Sequence, residues 1–201
     1  MLRVGLTGGL ACGKSFVGAA LASFGCLLIQ ADELGHEVLA KGGEAYEPVI
    51  REFGADVVGT DGQIDRRRLA ARVFGNPEAL QRLNALVHPP VVRREEELIA
   101  AFAVREPHGI AVVEGAILIE TGSYRRFDRM ILVVCSAEQQ VERAMRRSGA
   151  VEADVQARIG NQMPLAEKRK FADFVIDTSH DKDDTLRQAH TVYEELRKIE
   201  V

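Results

Sequence analysis

The chain has 201 residues, 46% of them apolar and 28% charged, with a formal net charge of −4. This is the profile of one soluble globular domain carrying insertions, without the basic field that nucleic-acid or membrane-surface binding requires, so neither partner is expected. Met1 leads straight into "LRVGLT" with no secretory pattern, and three dispersed cysteines suggest neither a disulfide framework nor a C-x-x-C metal pair, so a reduced, cytoplasmic protein is expected.

In chain order, the apolar run "RVGLT" (3–7) reads as a strand and leads into "GLTGGLACGKS" (5–15), followed by a helical pattern over 14–23. Gly8-x-x-x-x-Gly13-Lys14-Ser15 matches the Walker A pattern in full, in its proper strand–loop–helix context. The glycines let successive N–H groups turn inward onto phosphate oxygens, and the helix N-terminus adds positive potential. Lys14 is expected to reach the β- and γ-phosphates, and Ser15 to ligate Mg²⁺. The candidate nucleotide-binding residues are therefore Gly8, Gly9, Ala11, Cys12, Gly13, Lys14, Ser15 and Phe16, expected to take a nucleoside triphosphate with Mg²⁺. Cys12, inside the loop, is either a small residue that fits or a thiol of lowered pKa.

A second strand, "CLLIQ" (26–30), ends just before Asp32. Two roles are open to that carboxylate: an acid beside the acceptor hydroxyl at the strand ends, or an N-cap for the next helix. From Asp32 to Gly109 no comparable strand occurs, while helical stretches recur at 44–53, 66–74, 77–86 and 91–104. His88-Pro89 is expected to end one of these helices and start the next. Strands return at "IAVVE" (110–114), "MILVV" (130–134) and "FVID" (174–177), with helices at 137–147 and 183–198 and a polar, arginine-bearing insertion around 148–172.

Strands buried on both faces, alternating with helices, imply an α/β fold: a five-stranded parallel sheet flanked by helices. The expected division is a nucleotide-binding core over 1–32 and 109–201, with a lid at about 137–172 and an inserted helical acceptor domain over 33–108. A phosphate loop alone leaves switches, motors and kinases open. The guanine-reading N-K-x-D is absent, as is the serine-rich signature of transport ATPases, although Asp32–Gly35 satisfies D-x-x-G. Small-molecule kinases need cationic groups that close over the phosphates, and Arg143, Arg147 and Arg158 gather near the second insertion. Those arginines are equally compatible with a solvated helix face.

The blocks "GLTGG…GKS", "AD" (31–32), "FG" (53–54), "DGQIDRRRL" (61–69), "VHP" (87–89), "QVERAMRR" (140–147), "RIGNQ" (158–162) and "KRKFADFVID" (168–177) follow in an order and spacing that resembles the dephospho-CoA kinase family over essentially the whole chain. The resemblance implies a P-loop kinase fold, ATP and Mg²⁺ as cofactors, and transfer of the ATP γ-phosphate to the ribose 3′-hydroxyl of dephospho-CoA, the last step of coenzyme A synthesis. It implies Asp32 as the acid taking the acceptor proton, Lys14 and Arg143 as the groups neutralising the transferring phosphoryl, and Arg147 and Arg158 as lid residues, Arg147 towards the nucleotide. Asp32, Arg66, His88, Leu118 and Arg158 are implied on the acceptor side, and ATP and dephospho-CoA are the implied small-molecule partners, with homo-oligomerisation left open. The chain departs from the family pattern at Gln30, where an acid is common, and at Phe16, where a hydroxyl residue is common and only the backbone N–H remains to serve the α-phosphate. Glu114 and Ala116 stand in for aspartate and proline, and Thr178 for asparagine.

Overall fold

The computed structural model describes residues 1–200, apart from the side chain of Ser148. Two compact units are present, one of Met1–Gln30 with Ile99–Val201 and one of Ala31–Leu98.

The first unit is built on five parallel strands, β1 (Leu2–Gly8), β2 (Leu27–Gln30), β3 (Ile110–Glu114), β4 (Arg129–Val134) and β5 (Phe174–Asp177), ordered β2-β3-β1-β4-β5. The period of two sends Leu2, Val4 and Leu6 of β1 to one face, where they join Ile110, Val112, Ile131, Val133 and Ile176. Helices α1 (Lys14–Ser23) and α9 (Lys182–Arg197) cover that face with Val17, Leu21, Ala189, Val192 and Leu196. Every residue of β3 is buried, as its unbroken apolar run predicts for a strand covered on both sides. β1 is central, so Gly8, Glu114 and Val134 end neighbouring strands along the edge where ligands of doubly wound sheets bind. After β4 come α6 (Ala137–Ser148), α7 (Glu152–Gly160) and the short α8 (Leu165–Lys168).

The second unit contains α2 (Ala31–Leu39), α3 (Tyr46–Phe53), α4 (Arg66–Val73) and most of α5 (Pro77–Arg105). Leu34, Val38, Tyr46, Val49, Phe53, Ile64 and Leu69 are buried in it. The segment "DGQID" builds a turn and a cap: Gln63 N–H bonds Asp61, and Asp65 accepts from the N–H groups of Arg67 and Arg68.

Two expectations are corrected. The helices at 77–86 and 91–104 are one helix, with Pro89 and Pro90 inside it. His88-Pro89 therefore does not end a helix; the prolines leave the carbonyls of Ala85 and Leu86 without i+4 donors, and the helix continues past them. Asp32 is not an N-cap either. Helix α2 begins at Ala31, which puts Asp32 and Glu33 in its first turn, facing the positive end of the dipole.

Candidate active site

The phosphate loop grows out of β1 under tight steric control. A Cβ on Gly8 would stand 2.3 Å from the carbonyl oxygen of Val133 on β4, so only glycine fits where the loop leaves the sheet. Gly13 closes the loop at φ 82, and Ala11, at φ 55, is the sole non-glycine with positive φ among the described residues. Backbone held in that region is characteristic of ligand clamps. Helix α1 then starts at Lys14 with no side-chain cap and no acid in its first turn. By contrast, α6 has a Ser136–Gln139 capping box and α9 is capped by Asp181. The N-terminus of α1 is thus left with donors and positive potential for a ligand to satisfy.

Lys14 Nζ donates to the carbonyls of Gly8 at 3.3 Å and Gly9 at 2.9 Å, so the ammonium lies over the loop. The Phe16 N–H lies in the first turn of α1, 3.1 Å from the Gly13 carbonyl. The Phe16 ring has the Lys182 ammonium 5.8 Å from its centroid. Ser15 donates through Oγ to Glu114 Oε1 at 2.9 Å. Glu114 is 8% exposed, and its Oε2 is buried without a hydrogen-bond partner. A buried carboxylate oxygen without a partner is costly, and a carboxylate beside a hydroxyl is the oxygen chemistry that a hard divalent cation takes.

Cys12 is fully buried, with its sulfur 3.3 Å from that of Cys135. The Cys135 S–H lowers the Cys12 thiol from 9.0 to about 7, opposed by burial and assisted by the Lys14 charge. The main source of that lowering is Cys135 rather than the position of Cys12 in the loop. Cys135 is pushed up in turn, chiefly by the same contact and then by burial.

Two hydrogen bonds brace the loop from behind. Thr178 Oγ1 lies 2.9 Å from the Cys12 carbonyl, and Arg143 grips Thr178 at its hydroxyl and carbonyl, at 3.0 and 2.8 Å. Leu10 N–H donates to Gln162 Oε1 at 3.0 Å. Gln140, buried, has its Oε1 placed where a Cβ on Gly9 would meet it at 2.6 Å. Sequence reasoning assigned no role to Thr178, Gln162 or Gln140. The only signal was their membership of the blocks "QVERAMRR" and "RIGNQ" and the position of Thr178 just after a strand.

The structure brings Gly8, Gly9, Ala11, Cys12, Gly13, Lys14, Ser15 and Arg143 into one locality. Arg147 on α6 and Arg158 on α7 are exposed. Leu118 is buried with Ile119 and Met130 in a separate apolar cluster. In the helical unit, Asp32 and Arg66 are exposed, Arg66 directly following the Asp65 cap. His88 is half-buried in α5, and that burial lowers its pKa and favours the neutral imidazole.

A family model described as Dephospho-CoA kinase matches residues 2–184. A dephospho-CoA kinase of Bdellovibrio bacteriovorus is 37% identical over 199 residues, covering 99% of this chain and 98% of that protein. The chain belongs to the dephospho-CoA kinase family. It is also similar to the crystal structure of TT1252 from Thermus thermophilus, with TM-score 0.81 and 32% identity over 96% of both chains. A dephospho-CoA kinase from Campylobacter jejuni superimposes with TM-score 0.68 at 27% identity, covering 98% of this chain and 97% of that one. Kinases of the dephospho-CoA kinase family use ATP, which accounts for a loop whose backbone, lysine and uncapped helix all address phosphate. Among the described residues no helix is long and apolar enough to cross a membrane.

Proposed function

We propose that this protein transfers the γ-phosphate of ATP to the ribose 3′-hydroxyl of dephospho-CoA, giving coenzyme A. The observation that carries the reading is the uncapped α1 N-terminus behind a complete phosphate loop, in a chain of this family. Phosphoryl transfer needs little covalent chemistry from the protein; positioning and charge neutralisation account for most of the catalysis. Lys14 swings from the Gly8 and Gly9 carbonyls to the β- and γ-oxygens, and the α1 N–H groups hold the chain of phosphates. Arg143 supplies a second positive charge on the nucleotide side, and Arg147 and Arg158 belong to a lid over about 137–172.

Asp32 accepts the acceptor's proton late in the transfer, or orients that hydroxyl beforehand. Arg66 and His88 belong to the acceptor domain, in which the helical unit receives the pantetheine-bearing substrate. Ser15 and Glu114 would hold Mg²⁺, together with phosphate oxygens; the unsatisfied Glu114 Oε2 supports that assignment. Bound there, the ion would neutralise charge across the β- and γ-phosphates.

The test is ADP release from ATP and Mg²⁺ with dephospho-CoA, AMP, GMP or no acceptor. Release stimulated by dephospho-CoA alone, with coenzyme A as product, is expected. Stimulation by a different acceptor would reassign the substrate. ATP binding without turnover on any acceptor would instead favour a nucleotide-dependent regulator.

A further inference from the structure

Thr178 follows β5 directly and is 6% exposed. Its N–H donates to the Val134 carbonyl at 2.9 Å, which fixes its backbone to the end of β4. Three groups meet its hydroxyl oxygen: the Cys12 carbonyl at 2.9 Å, the Val134 carbonyl at 3.2 Å and Arg143 Nη1 at 3.0 Å. A guanidinium only donates, so Oγ1 accepts from Arg143 and has a single proton to give to a carbonyl. The nearer carbonyl is that of Cys12, in the phosphate loop. Arg143 Nη2 also donates to the Thr178 carbonyl at 2.8 Å, so the guanidinium holds this residue at two points. A charged donor on Oγ1 polarises the O–H and strengthens the bond that it makes in turn.

The Cys12–Gly13 peptide is the one that matters for the cradle. It is trans, so its C=O and N–H point to opposite sides. With the Cys12 carbonyl bonded to Thr178, the Gly13 N–H is aimed away from Thr178, towards the concave side of the loop. Thr178 also walls the loop, since a Cβ on Gly13 would lie 3.6 Å from both its Oγ1 and its Cγ2.

We infer that the Thr178 hydroxyl is a positioning residue for the nucleotide: it couples Arg143 on α6 to the Cys12–Gly13 peptide and so sets the phosphate cradle. The inference rests on the loop being the ATP site and is independent of which acceptor takes the phosphate. If Thr178 merely filled space, valine, which has the same shape, would serve equally well.

Binding of MgATP to Thr178→Val and Thr178→Ser is measured by calorimetry without any acceptor, beside KM values for ATP and dephospho-CoA. The valine variant is expected to keep the wild-type circular dichroism spectrum and to bind ATP roughly tenfold more weakly, the effect of losing one charge-assisted hydrogen bond. Its KM for the acceptor stays within about twofold of wild type, and serine restores ATP binding. Should valine fail to fold, Thr178→Ala takes its place against the same serine rescue. Wild-type ATP affinity in the valine or alanine variant overturns the inference, as does a serine variant as weak as valine. A wild-type protein that does not bind ATP overturns the nucleotide reading of the loop itself, which is a distinct result.

Discussion

Lys14 lies over the loop, where the carbonyls of Gly8 and Gly9 accept its protons. Lys14→Ala is expected to lower turnover by roughly 10²-fold or more, since a preorganised charge aimed at the developing transition state is lost. The circular dichroism spectrum is expected to persist, and near-normal turnover would show that the loop does not stabilise the transferring phosphoryl. Cys12 allows a sharper measurement. Its thiol sits at about 7 because the Cys135 S–H stabilises the thiolate, ahead of the opposing burial. Thiolate absorbance is therefore expected to rise near neutral pH, and Cys135→Ala to move that rise upward, because burial then dominates. Between about 7 and 9.0 the folded state holds the Cys12 thiolate while the unfolded chain holds the thiol. This contribution to stability is complete above the unfolded value and lost as pH falls through the folded one. A titration unchanged in Cys135→Ala would refute the assigned cause. Cys26, raised by burial to about 12, stays neutral throughout this range. Full burial of Cys12 also makes alkylation wait on local opening, despite its favourable pKa.

At the scale of elements, α5 contains two consecutive prolines and still runs from Pro77 to Arg105. Pro89 is exposed, so Pro89→Ala removes no buried contact and returns an N–H donor to the Ala85 carbonyl. Helix propensity, which already includes the looser unfolded chain, favours alanine by up to about 3 kcal/mol. A higher melting temperature is expected; a lower one would mean that the proline-shaped backbone is itself required by packing. Asp32→Asn tests the first turn of α2. It is expected to cut turnover by about 10²–10⁴ while ATP affinity holds, because asparagine keeps the shape but cannot accept the proton. Full activity would leave Asp32 as a first-turn acid that favours the dipole. These two helices also mark where the sequence was hard to read. The five strands were legible because each is a short apolar run with polar ends, and the phosphate loop because glycine spacing is a local constraint. Helix α5 read as two because proline signals a boundary locally, while tertiary packing decides whether a helix continues through it. Thr178, Gln162 and Cys135 touch the loop across more than 120 residues of chain, and no local pattern encodes such contacts.

At the scale of the molecule, stability and the site meet at a buried ammonium. Lys168 ends α8 with no exposed side-chain surface, and its Nζ reaches the Ala116 carbonyl and Glu120 Oε1, both at 2.8 Å. Glu120 Oε1 also accepts from the Met163 N–H at 3.1 Å, and Thr7 Oγ1 donates to the Ala116 carbonyl at 3.4 Å. The segment that follows β3, just past Glu114 beside Ser15, is thus tied to the chain leading into β5 by one charge and its two acceptors. Water cannot reach that charge, so its carboxylate partner is what keeps burial tolerable. Glu120→Gln keeps an oxygen for the Met163 N–H and for the ammonium but removes the compensating charge. It is expected to lower the unfolding free energy by about 3 kcal/mol, read from urea denaturation. Adding Lys168→Met removes the uncompensated charge and fills the same space with an unbranched apolar chain. The double variant is therefore expected to be more stable than Glu120→Gln alone, an order that simple loss of contacts would reverse. If the double variant is the weaker of the two, the ammonium stabilises this junction through its bond to the Ala116 carbonyl more than through its pairing with Glu120.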